Sequence, residues 1–328
     1  MKPRVDQRAI AELLGISNCT VTKVLNHDPA YRVSNETREL IIKTAREIGY
    51  EPRRRRTKNI AFVVCGALAS VEWELLRYVC EEASTFRYRV TLVNIQNEPS
   101  FRAVSFSVNP LAVDGAIITG HLCPEMALQM SEILPVVTMG QFPDRSGVDW
   151  VKADNIAVGN QLTNQLISCG HKNIAVIVNG RDEKFSQQMI DGYQQAYSDA
   201  GFEPDLSMIW EKGYRRYLQL VQEIMSHDPR PTGLLAVTFM DHPIILTALD
   251  ALGCRVPEDL SYVGWACNNL ASLLPFPVIS CLDNMCLVLA KVAVRRLMDR
   301  IENRSLPVED IIVPMDIRKG ETCIDIHR

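Results

Sequence analysis

The sequence predicts two structural classes in one chain: an N-terminal all-α helix-turn-helix head, and behind it a two-lobed α/β body with parallel sheets. Three observations predict this. Apolar residues recur at helical spacing through the first fifty residues, around a Gly-Ile-Ser turn. From residue 59 onward, short β-branched runs alternate with helical stretches. The charge divides at the same place: residues 1–58 hold 13 Lys and Arg against 7 Asp and Glu, and the remaining 270 hold 22 against 32. A small basic head on an acidic body suits a head that meets a polyanion and a body that does not.

Composition narrows the class further. With 328 residues, 47% hydrophobic and 23% charged, the chain is ordinary globular material for two or three domains. The longest apolar run, Ile60–Ala69, is ten residues, half of what a bilayer span needs at about 20. Arg4, Asp6, Arg8 and Glu12 interrupt any signal-peptide core, so a cytoplasmic protein without a membrane partner is expected. Ten cysteines, with no C-x-x-C, lie mostly in apolar runs and read as buried reduced thiols; neither a metal nor a cofactor is expected.

The head comes first. Residues 7–14 are helix formers with Ile10, Leu13 and Leu14 at i, i+3 and i+4. Gly15 can take the left-handed conformation that ends a helix, and Ser17 is a good N-cap for the next. Over 18–26, at about 100° per residue, Val21, Val24 and Leu25 share the inner arc. Asn18, Cys19, Thr22, Lys23 and Asn26 share the opposite one. That outer face carries donors, acceptors and one cation but no carboxylate, which suits the base edges of a major groove. A third helix from Ser34 or Asn35 to about Ile48 buries Ile41, Ile42, Ala45 and Ile48 and ends at Gly49-Tyr50-Glu51-Pro52.

Four blocks in order and spacing then point to a family: Gly15-Ile16-Ser17, Thr20 to Asn26, Val33 to Arg38, and Gly49 to Pro52. Together they resemble the N-terminal domain of the LacI/GalR family of bacterial repressors. The resemblance implies a recognition helix at 18–26 with Asn18, Cys19 and Lys23 as base readers. Thr20 and Ser34 are implied as phosphate contacts, with Asn26 and Thr37 beside them and Ser17 and Thr22 on the same surface. Family members follow Tyr-x-Pro with a short helix bearing a minor-groove leucine. Here Arg53, Arg54, Arg55 and Arg56 follow instead, no Leu occurs in 53–59, and the next strand arrives about two helical turns early. Those arginines either contact a narrow, A·T-rich minor groove or form a solvated basic linker.

The body is read as strands at 60–64, 90–95, 116–119, 136–139, 174–178, 234–238 and 262–265. Helices are read near 72–86, 125–132, 155–169, 184–200, 214–226, 242–252 and 284–302. Such alternation means parallel sheets with helices on both faces, and about 270 residues exceed one comfortable core. The expected domains are a head over 1–52, a linker over 53–59 and a body over 60–328. Lobe 1 takes about 60–156 and 284–312, and lobe 2 about 157–283 and 313–328. Val113 to Ile118, Gly170 to Ala175, Gly192-Tyr193 and Val256 to Gly264 extend the resemblance to the family's core, which is similar to periplasmic sugar-binding proteins.

A ligand would sit between the lobes, beyond the carboxyl ends of the strands. The sugar-binding pattern is broken there. An Arg three residues before Gly-Tyr is Met189, Asn-Asp is Met240-Asp241, and an Asp two residues after the Val-Gly block is Ala266. Further lining candidates are Gly66, Ser70, His121, Gln141, Arg181, Phe185, Trp265 and Asn268. Phe185 and Trp265 read either as a clamp for a flat ligand or as core. A typical monosaccharide is therefore not expected; the effector is less polar, or none is used. The resemblance as a whole implies a homodimer on a near-palindromic operator, a transcriptional regulator with repression as the implied mode, and a tail after Gly320 too short for a tetramerising heptad helix. No G-x-G-x-x-G, Walker loop, G-x-S-x-G or H-E-x-x-H occurs, which argues against an enzyme. A plain ligand-binding module fits the body but leaves the basic head unexplained; deleting 1–58 separates it from a regulator.

Overall fold

In the computed structural model of the chain, the residues described are 7–25, 31, 33–48, 56–66, 68, 70–95, 108–109, 112–120, 124–140, 147–181, 183–213, 216–238, 241–267 and 280–326. Of these, 35, 46, 70, 124–125, 266–267 and 280–283 are described by backbone alone. The chain divides into two compact units, Met1–Arg56 and Thr57–Arg328.

The first unit holds α1 (Gln7–Leu14), α2 (Asn18–Leu25) and α3 (Asn35–Glu47). Gly15 takes φ +63°, which brings the Ile16 N–H back to the Ala11 carbonyl at 3.1 Å and stops α1. Ser17 Oγ then accepts the Thr20 N–H at 3.0 Å and starts α2. Ser34 Oγ does the same for the Thr37 N–H at 3.2 Å and starts α3. Ile10, Ala11, Val21, Val24, Ile41 and Ala45 form the core, with Leu14, Leu25 and Ile48 packed at its edge. Leu13 departs from its expected place: it is 64% exposed. At about 100° per residue, the direction shared by Ile10, Leu14 and Ala11 lies far from Leu13, and the small Ala11 takes the inner position.

The second unit runs β1 (Asn59–Cys65), α4 (Ser70–Thr85), β2 (Arg89–Ile95), β3 (Gly115–Gly120), α5 (Pro124–Ile133), β4 (Val136–Met139), β5 (Asp149–Ala153), α6 (Asn155–Ser168), β6 (Ile174–Val178), α7 (Lys184–Asp199) and β7 (Ile209–Glu211). It continues through α8 (Tyr217–Met225), β8 (Gly233–Val237), α9 (His242–Ala251), β9 (Ser261–Cys267), β10 (Ser280–Asp283), α10 (Met285–Glu302), β11 (Asp310–Val313) and β12 (Asp316–Arg318). Two six-stranded sheets result, ordered β11-β5-β4-β3-β1-β2 and β12-β10-β9-β8-β6-β7. All pairings are parallel except β10 with β12. The chain passes between the sheets three times: from β5 into α6, from β10 into α10, and from β11 to β12.

Alternation along each strand builds a core on both faces. Ile60, Phe62 and Val64 of β1 face the layer that contains Val79 of α4 and Ala293 of α10, whereas Ala61, Val63 and Cys65 face Ala127 and Met130 of α5. In the second sheet, Ile174, Val176 and Val178 face Leu162 and Tyr193, whereas Ala175 and Ile177 face Leu220 and Ile245. The Gly192-Tyr193 block is explained by packing. A Cβ on Gly192 would lie 2.2 Å from the Ile156 carbonyl oxygen, so glycine is what lets α6 and α7 touch through their backbones.

Five strands, β5, β7, β10, β11 and β12, go beyond the seven expected from β-branched runs. They are short, and β5 begins on a charge. Asp149 is 1% exposed because α10 supplies its counter-ions: Arg296 Nη2 reaches Oδ1 at 2.9 Å and Arg300 Nη2 reaches Oδ2 at 2.7 Å. The thiols also divide. Cys65, Cys254 and Cys286 are buried and Cys169 and Cys323 half-buried, but Cys19 and Cys80 are exposed, where buried thiols were expected.

Candidate nucleic-acid interface and interlobe cleft

The outer face of α2 is built from its first turn. Asn18 and Cys19 are exposed at the helix start. Ser17 and Thr20 share a hydroxyl bond of 2.8 Å, and Ser34 and Thr37 share one of the same length at the start of α3. Each N-terminus thus presents a hydroxyl pair at a first helical turn, where the leading backbone N–H groups have no intrahelical acceptor, the arrangement that suits an anion. Thr22 is half-buried, and its Oγ1 donates to Gln7 Oε1 at 2.5 Å, which ties α2 to α1. Lys23 is half-buried as well, with Nζ 4.7 Å from the centre of the Tyr31 ring.

Tyr31 is the residue that motif reading missed. Its hydroxyl bonds Thr20 Oγ1 at 3.0 Å while its ring carries the Lys23 ammonium, so one side chain orients two on α2. The only sequence signal for it is an aromatic in a polar loop. Asn26, Arg53, Arg54 and Arg55 lie outside the described residues; Arg56 is exposed. Just after it, Asp114 accepts both Thr57 N–H (2.8 Å) and Lys58 N–H (3.0 Å), and Lys58 Nζ stands 4.5 Å from the Tyr88 ring centre. The buried carboxylate of Asp114 fixes where the body's chain begins.

At the carboxyl ends of the second sheet's strands, the expected cleft residues lie inside the packing. Phe185, Met189 and Trp265 are 6%, 0% and 4% exposed and share one apolar cluster. Phe185 and Trp265 meet edge-on at 4.9 Å, with their rings 73° apart, so they pack on each other and are not held apart as jaws for a flat ring. His242, fully buried, fixes the neighbouring strand. Its Nε2 donates to the Trp265 carbonyl at 3.2 Å, so Nδ1 accepts from the Tyr262 hydroxyl at 2.7 Å. Burial holds the His242 imidazole below its ordinary value. Asp241 is engaged within the lobe: Lys212 Nζ lies 3.3 Å from Oδ2 and the Tyr217 hydroxyl donates to the same oxygen. Burial, and then that bond, push the Tyr217 phenol up.

Ser70 opens α4 and Ala266 lies in β9, both described by backbone alone, while His121, Gln141 and Asn268 lie outside the described residues. Arg181 is exposed and donates to the Ile209 carbonyl. Among the described residues no group of three or more His, Cys, Asp or Glu could hold a metal, and no helix is long and apolar enough to cross a membrane.

Comparison with known proteins meets this geometry in both units. Residues 8–53 match the model of bacterial regulatory proteins of the lacI family, and residues 163–323 match the periplasmic binding protein-like domain. The chain carries a lacI-family DNA-binding domain and a periplasmic-binding-type domain. This chain is 25% identical over 338 aligned positions to the HTH-type transcriptional repressor PurR of Haemophilus influenzae strain PittEE, covering 96% of this chain and 98% of that one. It is 26% identical to the HTH-type transcriptional regulator CelR of Thermobifida fusca, over 89% and 90% of the two chains. Among solved structures, a CelR–cellobiose complex superposes with a TM-score of 0.68 at 24% identity, covering 97% of this chain and all of that one. The lac repressor dimer bound to operator and an anti-inducer superposes with 0.66 at 19%, over 98% of this chain and all of that one. These structures share the fold. The chain is a DNA-binding transcriptional regulator, a two-lobed periplasmic-binding-type core joined to a lacI-type helix-turn-helix, and not an enzyme.

Proposed function

We propose that α2 is the recognition helix and that Asn18, Cys19 and Lys23 read base edges. Thr20, Ser34 and Thr37, with the backbone N–H groups at the two helix starts, hold phosphates, and Ser17 and Thr22 set the helix in place. The observation that carries this reading is an α2 face with exposed Asn18 and Cys19, a ring-oriented Lys23 and no carboxylate. Asn18 suits adenine, Lys23 suits guanine O6 and N7, and Cys19 supplies an apolar contact. The protein acts in the bacterial cytoplasm as a homodimer on a near-palindromic operator, since a two-fold protein reads a two-fold site. Asn26 and the Arg53–Arg56 run add contacts at the flank and centre of the site, and the exposed Arg56 favours this. Selecting duplexes from random DNA with the full chain should return a symmetric site with a guanine in each half. Recovery of unrelated sequences at moderate salt defeats the reading.

The cleft takes no typical monosaccharide. Met189 and Trp265 are buried in the apolar cluster and Asp241 is bonded to Lys212 and Tyr217, so among the described residues these three do not offer the paired donors and acceptors a sugar ring requires. In a thermal-shift screen with monosaccharides at about 10 mM, the Tm should stay within about 1 °C. A rise of several degrees with any one of them overturns this.

A further inference from the structure

After β12 the chain runs back along lobe 2 as a strip bonded at alternate residues. Tyr262 N–H donates to the Thr322 carbonyl and Thr322 Oγ1 donates to the Tyr262 carbonyl, each at 2.6 Å. Ile324 N–H donates to Ser261 Oγ at 3.1 Å, and the Ile324 carbonyl accepts from His171 Nε2 at 3.2 Å. Ile326 N–H closes the strip on the Cys169 carbonyl at 2.9 Å. Cys323, between the bonded positions, lays its thiol on the last turn of α6. Its Sγ is 4.0 Å from the Gln165 carbonyl, at the helix end where the Cys169 side chain is its neighbour. Gln165 lies in the last turn of α6 and Cys169 caps that turn, so the strip brings Cys323 to the helix end that carries Cys169. Both thiols are free and half-buried, within reach of a small reagent.

We propose that Cys169 and Cys323 are a redox-active pair, a modification site at which a small disulfide oxidant closes a bond between the C-terminal strip and the end of α6. The order of attack follows from the surroundings. Burial, followed by the Cys169 contact, pushes the Cys323 thiol up to about 12, which makes it the second thiol to act. Cys169 attacks one sulfur of the oxidant, joins it in a mixed disulfide and releases the first reduced thiol. Cys323 then attacks the Cys169 sulfur, and the second oxidant sulfur leaves as a thiol. Two protein thiols lose two electrons and two protons; one small disulfide becomes two small thiols.

The closed loop, 169 to 323, contains all six strands of the second sheet, β6 to β10 and β12. A bond that closes so long a loop restrains the unfolded chain strongly. The full chain should be incubated with oxidised glutathione, alkylated, digested without reduction and analysed by mass spectrometry. The expected result is a peptide pair linked through Cys169 and Cys323. The Tm should rise by roughly 5 °C or more and fall back with dithiothreitol. In Cys323→Ser the linkage should be replaced by glutathione retained on Cys169. The exposed Cys19 and Cys80 report that the oxidant has acted. If they carry glutathione while Cys169 and Cys323 are both alkylated as free thiols, the proposal is overturned.

Discussion

The outer face of α2 and the cleft end of the second sheet treat their side chains in opposite ways. On α2, Asn18 and Cys19 stand in solvent and Lys23 rests on a tyrosine ring at the surface. At the cleft end, Phe185, Met189 and Trp265 are buried and Asp241 is already bonded to Lys212 and Tyr217. The first surface leaves Asn18 and Cys19 exposed; the second engages Asp241 within the fold. Exposure, more than residue type, separates a reading surface from a wall, because a buried polar group must find its partner inside the protein.

The contrast breaks most visibly at Trp265. Trp265→Ala empties part of the apolar cluster and should lower folding stability by about 3–5 kcal/mol in urea titration. Operator affinity of the folded fraction should stay as it was; a stable variant with altered DNA binding would mean that Trp265 belongs to a functional surface. At Lys23 the effects invert. Lys23→Ala should cost about 1–3 kcal/mol of discrimination at one symmetric base pair, read by competition between operator variants, with the Tm nearly unchanged. Ser17→Ala removes the cap of α2 and should destabilise the head by about 1 kcal/mol, seen as faster amide exchange across α2 and not in the body.

The smallest effect is electrostatic. Burial depresses the folded-state pKa of His242, so below about pH 6.5 the unfolded chain binds a proton that the folded chain does not. The His242 contribution is present above that pH and is lost as pH falls. The urea midpoint should drop between pH 7.5 and 5.5 in the wild type and drop less in His242→Gln. Equal slopes in the two proteins would remove His242 from this account.

Much of the fold was legible because local chemistry and tertiary packing agree. The turn at Gly15, the caps at Ser17 and Ser34, and the inner arc of Val21 and Val24 need nothing beyond nearest neighbours. The seven β-branched runs are strands because both faces of each sheet are covered, so continuous apolar residues mark them. β5 was not legible, since Asp149 looks like a loop residue until Arg296 and Arg300 arrive from a helix about 150 positions later in the chain. Leu13 misled in the other direction: its spacing is right for a core face, but Ala11 lets the helices close in on the other side. Tyr31 was invisible because its role depends on contact with Thr20 and Lys23 across a loop.

By itself, the amino-acid order determined the two-part organisation and the helix boundaries of the head. Periodicity, caps and charge balance are local properties that a linear string carries. Only the tertiary structure decided which charges are buried, which aromatic rings pack on each other, and which two of the cysteines lie side by side. Those outcomes rest on distances between residues far apart in the chain, and such distances are set when helices and sheets close on one another to exclude water.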